Sequence, residues 1–224
     1  LNWQLLGLGY NFGGGVTAVA IHPTNDDIVY VAAGMQIHKT NDGGLTWTPQ
    51  LPSSNLFYAD NLAIDPNDPD KIFAAGSSGV FRTENGGTTW SNVWSNHSYD
   101  VHLKPNDSNI IYAISSQGGD FQIAVSTDGG SSFAIDNSFP TGVEDAAGGL
   151  LAVSANSPDE LFGIFLTPGN TPLIYKGDMV NTNWTLLATG QTDALPLNNG
   201  QGFFDLVLEV SPIDADIIFA GTTT

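Results

Sequence analysis

KTNDGGLTW, residues 39–47, packs a hydroxyl residue, a carboxylate, two glycines and an indole into nine positions. The set returns as RTENGGTTW at 82–90 and VSTDGGSSF at 125–133. Thr40, Thr83 and Ser126 share one position, and Asp42, Asn85 and Asp128 share the next. The pairs Gly43–Gly44, Gly86–Gly87 and Gly129–Gly130 follow, then Trp47, Trp90 and Phe133. The period is 43 residues both times. A fixed period of this size marks stacked supersecondary units.

A second motif runs in phase with the first. It reads AIHPTNDDIVYVAAG at 20–34, AIDPNDPDKIFAAG at 63–76 and HLKPNDSNIIYAIS at 102–115. Weaker copies are AVSANSPDELFGIF at 152–165 and EVSPIDADIIFAG at 209–221. Each joins two apolar runs through a Pro/Asn/Asp turn, which is a β-hairpin signature. The runs are nearly continuous in hydrophobicity, as suits strands covered on both faces. The first unit parses as strands Val16–Ile21, Ile28–Ala33, Gln36–Thr40 and Thr46–Leu51, and no segment has helical periodicity.

Four short strands at this period imply an all-β chain, a β-propeller of four-stranded antiparallel blades. The full blades are expected near 13–51, 60–94, 99–137 and 146–188, with partial blades at 1–9 and 203–224. NWQLLG at 2–7 matches the outer-strand stretches TWTPQL at 46–51 and NWTLLA at 183–188, so the chain starts on a last strand. A slice of a larger propeller is the expectation. A five-bladed ring closing on itself is the alternative, with one blade short of its third strand.

The opening stretch falls at the turn between third and fourth strands. Its glycines supply positive φ without a Cβ clash. The Asp or Asn side chain and the hydroxyl bond backbone N–H groups across the turn. The aromatic residue opens the outer strand and covers the blade. The set reads as a self-locking hairpin with a structural purpose.

These residues resemble the Asp-box (BNR) repeat, S/T-x-D-x-G-x-x-W/F, in a form with a second glycine. The whole unit is similar to the propeller repeats of sortilin-like and xyloglucanase-like proteins, and a degenerate fourth box lies in YKGDMVNTNW, residues 175–184. The resemblance implies a fold far more than a function, because such propellers serve as sialidases, glucanases, sorting receptors and assembly factors. It also implies that the boxes lie opposite the working face, which carries the loops between strands two and three and the blade-linking segments.

Composition narrows the function. The chain of 224 residues has 23 acidic and 5 basic residues, for a net charge of −18. A phosphate backbone needs a basic face, so nucleic acid is not expected as a partner. No apolar run reaches the length of a membrane helix, so membrane insertion is not expected. With no cysteine, disulfides, zinc-thiolate sites and thiol nucleophiles are excluded. Abundant Asn, Thr, Gly and Asp without disulfides fits a secreted or cell-surface bacterial protein.

On the expected working face, the loops AAGMQ (32–36) and AAGSSGV (74–80) are short, with SSQGGDF (115–121) and TPGNTP (167–172) slightly longer. Such loops enclose little. The linking segments are richer. Tyr58 with Asp60, Tyr99 with Asp100, Asp145, and Phe204 with Asp205 precede the innermost strands, and together they would ring a channel mouth. They are the candidate ligand-binding residues, with rings for sugar faces and carboxylates for hydroxyls. The competing reading is that the rings wedge blades and the carboxylates cap strand ends.

The resemblance implies an arginine triad for sialidase chemistry, and Arg82, beside a box, is the chain's one arginine. Xyloglucanase chemistry needs two opposed carboxylates. The family's aspartate-bearing loop has no counterpart in AAGMQIHKT, residues 32–40. No catalytic residue is therefore assigned. His22, His38, His97 and His102 lack metal spacing and read as structural or surface groups. No cofactor is expected. Calcium at the turns HPTNDD (22–27) and DPNDPD (65–70) is a minor alternative, since these residues also suit a tight turn. The expectation is a non-catalytic extracellular scaffold for a protein or polysaccharide. The alternatives are a glycoside hydrolase fragment or a structural subunit of an extracellular assembly joined to further blades.

Overall fold

A computed structural model describes residues 9–50, 57–146, 148–169, 171–190 and 206–221. The expected first outer strand at 2–7, Leu51, and the candidates Phe204 and Asp205 lie outside them. The described residues form strands joined by turns, with no helix among them. They divide into two compact units, Leu1–Val101 and His102–Thr224.

Among the described residues are four antiparallel sheets of four strands, each in sequential order, and a strand pair nearest the C-terminus. The first sheet is β1 (Val16–Ile21), β2 (Val29–Ala33), β3 (Gln36–Thr40) and β4 (Thr48–Pro49). The second is β5 (Ala59–Ile64), β6 (Ile72–Gly76), β7 (Gly79–Thr83) and β8 (Ser91–Trp94). The third is β9 (Ser98–Lys104), β10 (Asp107–Gln117), β11 (Asp120–Ser126) and β12 (Ala134–Ile135). The fourth is β13 (Gly148–Ser154), β14 (Ser157–Thr167), β15 (Thr171–Asp178) and β16 (Asn183–Thr189). The pair is β17 (Val207–Val210) and β18 (Ile218–Gly221).

The second motif dictates a repeated register. Ala20 faces Tyr30, Ala63 faces Phe73, Ala152 faces Phe162 and Glu209 faces Phe219. The second strands β2 and β6 are buried at every residue, as their unbroken apolar runs require. In the first unit, Ala18, Ala20, Tyr30 and Ala32 pack against Leu62, Ile64 and Ile72. The Thr17 hydroxyl donates to the Ala59 carbonyl at 2.5 Å. In the second unit, Leu208 and Val210 pack on Ala152, Phe162 and Ile164. Each fully buried aliphatic or aromatic side chain contributes about 1.5–3 kcal/mol.

Three expectations about boundaries shift. Ile28 is not in the second strand: its N–H donates to Asn25 and its carbonyl accepts from His22, closing the turn. The outer strand begins at Thr48 rather than Thr46 because Asp42 captures the Thr46 N–H. The loop expected at 115–121 is instead strand on both sides of a two-residue turn, Gly118–Gly119, with φ of 68° and 93°. That turn leaves the third sheet as closely trimmed as the first.

Candidate functional site

The boxes repeat one hydrogen-bond circuit. Each hydroxyl ends a third strand, donates to the Asp or Asn two residues on, and accepts the N–H of the second glycine. Gly44 N to Thr40 Oγ1 is 2.9 Å, Gly87 N to Thr83 Oγ1 is 3.1 Å and Gly130 N to Ser126 Oγ is 2.9 Å. The side-chain oxygens of Asp42, Asn85 and Asp128 accept the N–H groups of Thr46, Thr89 and Ser132 at 2.8–2.9 Å. The indoles of Trp47 and Trp90 donate to Gly44 and Gly87. Gly43 and Gly86 donate to Asp27 and Asp70, tying their boxes to the β1–β2 and β5–β6 turns, and Gly129 donates to Asn109 near the start of β10. All six box glycines have positive φ.

These bonds hold the Asp42 carboxyl down to about 2, first through the Thr46 hydroxyl and then through the Thr46 N–H. The Asp128 carboxyl is lowered further, first by the Ser132 hydroxyl. Phe133 is half-buried in the third box. The degenerate fourth box keeps an anchor by other means. Asp178 accepts from the N–H groups of Val180 and Asn181, while Trp184 donates to Asp136 at 2.9 Å.

The expected mouth residues fare differently. Tyr58 is 46% exposed and precedes β5, its N–H donating to Ser77 Oγ at 3.1 Å. Asp60 lies within β5 and its Oδ2 stands 3.7 Å from His97 Nε2, both side chains about two-fifths exposed. The His97 ring centroid lies 4.3 Å from that of Tyr99. The structure thus joins Asp60, His97 and Tyr99 in the first unit. Asp100 does not present itself there. It is 1% exposed and its Oδ1 accepts the Val101 N–H at 2.9 Å, so it serves the strand. Asp145 belongs to the second unit, where its N–H donates to Gly119 O at 2.7 Å.

Sequence reasoning set His97 aside as a scattered histidine. Its signal was the aromatic and carboxylate that follow it within HSYD, residues 97–100. His38 is buried, taking the Tyr10 hydroxyl at 2.9 Å, with its Nε2 3.2 Å from Phe12 O. Burial lowers its pKa.

Each of the five cations is engaged. Lys71 pairs with Asp65, Arg82 with Glu84, Lys104 with Asp159 and Lys176 with Glu160. Lys39 donates to Gly86 O at 3.0 Å and lies over the Tyr30 ring. An anionic ligand would have to displace one of these contacts. At the turn 65–70, where calcium was the minor alternative, Asp65 is buried and takes the Asn67 N–H as well as Lys71. At the other turn, Asn25 accepts from Asp27. No group of three or more His or acidic side chains is arranged to hold a metal ion among the described residues. Two shallow pockets, at Arg82–Val93 and at Asp120–Gly142, measure ≈160 and ≈200 Å³. Small-molecule sites run about 300–1,000 Å³.

No family model matches the chain, and no curated protein matches it. Solved structures do. A GH74 enzyme from Niastella koreensis matches with a TM-score of 0.68 and 24% identity, covering 92% of this chain and 33% of that one. The GH74 xyloglucanase from Xanthomonas campestris matches at 0.69 and 19% identity, covering 96% and 36%. YCF48 bound to a D1 peptide matches at 0.60 and 14% identity, covering 89% and 60%. At these identities the likeness is one of fold: the chain is a β-propeller of about four blades plus a partial one. It spans about a third of the length of the GH74 structures.

Proposed function

We propose that this chain is a non-catalytic, secreted or cell-surface propeller scaffold of the Asp-box type. It binds an uncharged glycan or a peptide segment through the blade-linking segments of the first unit. The observation that carries this reading is the Asp60–His97–Tyr99 cluster, with the exposed Tyr58 two residues before Asp60 in the chain. Aromatic faces supply apolar contact for a sugar or side chain. The carboxylate and imidazole supply hydrogen bonds. The net charge of −18 and the engaged cations disfavour anionic polymers. The cluster itself holds one carboxylate, Asp60, whereas glycoside hydrolysis uses an opposed pair.

Native gel electrophoresis in the presence of xyloglucan, a mixed-linkage glucan or a basic peptide tests this. Retardation that is lost in Tyr99→Ala and Asp60→Ala is expected, without reducing-sugar release. No retardation by any of the three would overturn the reading. The second reading, part of a glycoside hydrolase, draws on the GH74 neighbours. Release of reducing sugar by this chain would favour it.

A further inference from the structure

The second box carries Asn85 where the first and third carry Asp42 and Asp128, and Gly86 follows it. An asparagine followed by glycine holds both partners of a reaction. The glycine has no Cβ to shield its nitrogen, which can attack the side-chain amide carbon of the residue before it. In this box the partners are the Gly86 backbone nitrogen and the Asn85 Cγ. The new C–N bond closes a succinimide ring, and Asn85 Nδ2 leaves as ammonia with the Gly86 amide proton. One water then opens the ring, and nothing is oxidised or reduced. Opening at the side-chain carbonyl gives aspartate. Opening at the backbone carbonyl gives isoaspartate, which adds a methylene to the main chain.

The folded box pins both partners. The Gly86 N–H donates to Asp70 O at 3.0 Å, so the nucleophile keeps its proton engaged. Asn85 Oδ1 accepts the Thr89 N–H at 2.9 Å and the Thr83 hydroxyl at 3.0 Å. Asn85 Nδ2 donates to the Thr89 hydroxyl at 2.9 Å. Solvent access is not the obstacle. Asn85 is exposed and, with Arg82 and Glu84, lines a hollow of ≈160 Å³. Water reaches the amide, but the amide is tied through both its oxygen and its nitrogen.

We propose that Asn85 is an autocatalytic deamidation site held latent by the second box. The closed turn protects it, and each opening of the turn exposes it to reaction. The direct product is the residue that the other two boxes already use. Asp42 and Asp128 bond Thr46 and Ser132 as Asn85 bonds Thr89, with one hydroxyl hydrogen reversed. Aspartate at position 85 therefore closes the turn again. Isoaspartate lengthens the loop that carries the Gly87 N–H to the Thr83 hydroxyl, and leaves the box broken.

Peptide mapping by mass spectrometry tests this on the intact chain, aged at mildly alkaline pH with and without urea. The chain's other Asn–Gly pair, Asn199–Gly200, is the reference in urea, where the two pairs should lose ammonia at like rates. Without urea, Asn85 should react at least about tenfold more slowly than in urea, because only the opened fraction reacts. Thr89→Val removes the acceptor of Asn85 Nδ2 at an exposed position, and circular dichroism verifies that the variant folds. It should lose ammonia at Asn85 several-fold faster than the wild type. Equal rates with and without urea would overturn the proposal, as would an unchanged rate in folded Thr89→Val. Asn85→Asp, the direct product, should keep the wild-type urea midpoint. A clear fall there would show that the reaction breaks the box instead of renewing it.

Discussion

The Asp42 carboxylate holds Thr46 twice: the Thr46 N–H donates to Oδ1 at 2.8 Å and its hydroxyl donates to Oδ2 at 2.6 Å. In the second box Asn85 makes the same pair of bonds with one reversed, its amide donating to the Thr89 hydroxyl at 2.9 Å. A hydroxyl both donates and accepts, so the circuit tolerates either side chain. Asp42→Asn is therefore expected to leave the urea midpoint almost unchanged, while Asp42→Ala lowers it. Equal losses from the two substitutions would show that charge, not the paired bonds, holds the turn.

The buried hydroxyl matters more. Thr40→Val keeps the shape but leaves the Gly44 N–H without its acceptor. A buried donor left unsatisfied costs about 1–3 kcal/mol. Thr83→Val and Ser126→Ala should cost similar amounts, since Gly87 and Gly130 depend on them in the same way. Chemical denaturation of the three single variants checks this.

Acid should act through the boxes. The folded Asp42 and Asp128 carboxyls lie below the unfolded value of 3.8. Their contribution is present above that value and is lost as pH falls toward the folded value, about 2 for Asp42. Thermal melts of Asp42→Asn/Asp128→Asn should fall less between pH 4 and 2 than those of the wild type, by this linkage argument. Parallel melts would exclude the boxes as the source.

Alkali should act through tyrosines. Burial pushes Tyr30 and Tyr112 up to about 12 from 10.0, with Asp70 adding to the effect on Tyr30. Stability is complete below the unfolded value of 10.0 and declines as pH rises toward 12. Ultraviolet titration should find these two of the chain's six tyrosines protonated near pH 11 in the folded state and ionised after unfolding.

Gly76 links fold to site. A Cβ there would lie 1.8 Å from the Tyr58 carbonyl, so backbone would have to move where the candidate ring is held. Overpacking of this kind costs about 1–3 kcal/mol or more. Gly76→Ala should lose stability and any ligand affinity of the Tyr58 region together. Gly15→Ala meets nothing within 4 Å and is the neutral control.

The boxes and the strand order were legible in the sequence because their causes are short-range. Every bond in the circuit that links Thr40, Asp42, Gly44 and Thr46 spans at most four residues. The apolar runs likewise reveal strands buried on both faces before any partner is known. The candidate site was legible only in part. Asp60 and His97 meet across 37 positions, and nothing near either one announces the other. The sequence places Asp100 beside Tyr99 as if both were on offer, whereas the structure buries the carboxylate. The residues by themselves determined what each blade is, because a blade is built from local turns and short, nearly continuous apolar runs. Tertiary structure decided which faces are covered, because burial depends on what stands opposite, and the chain's own spacing does not encode that.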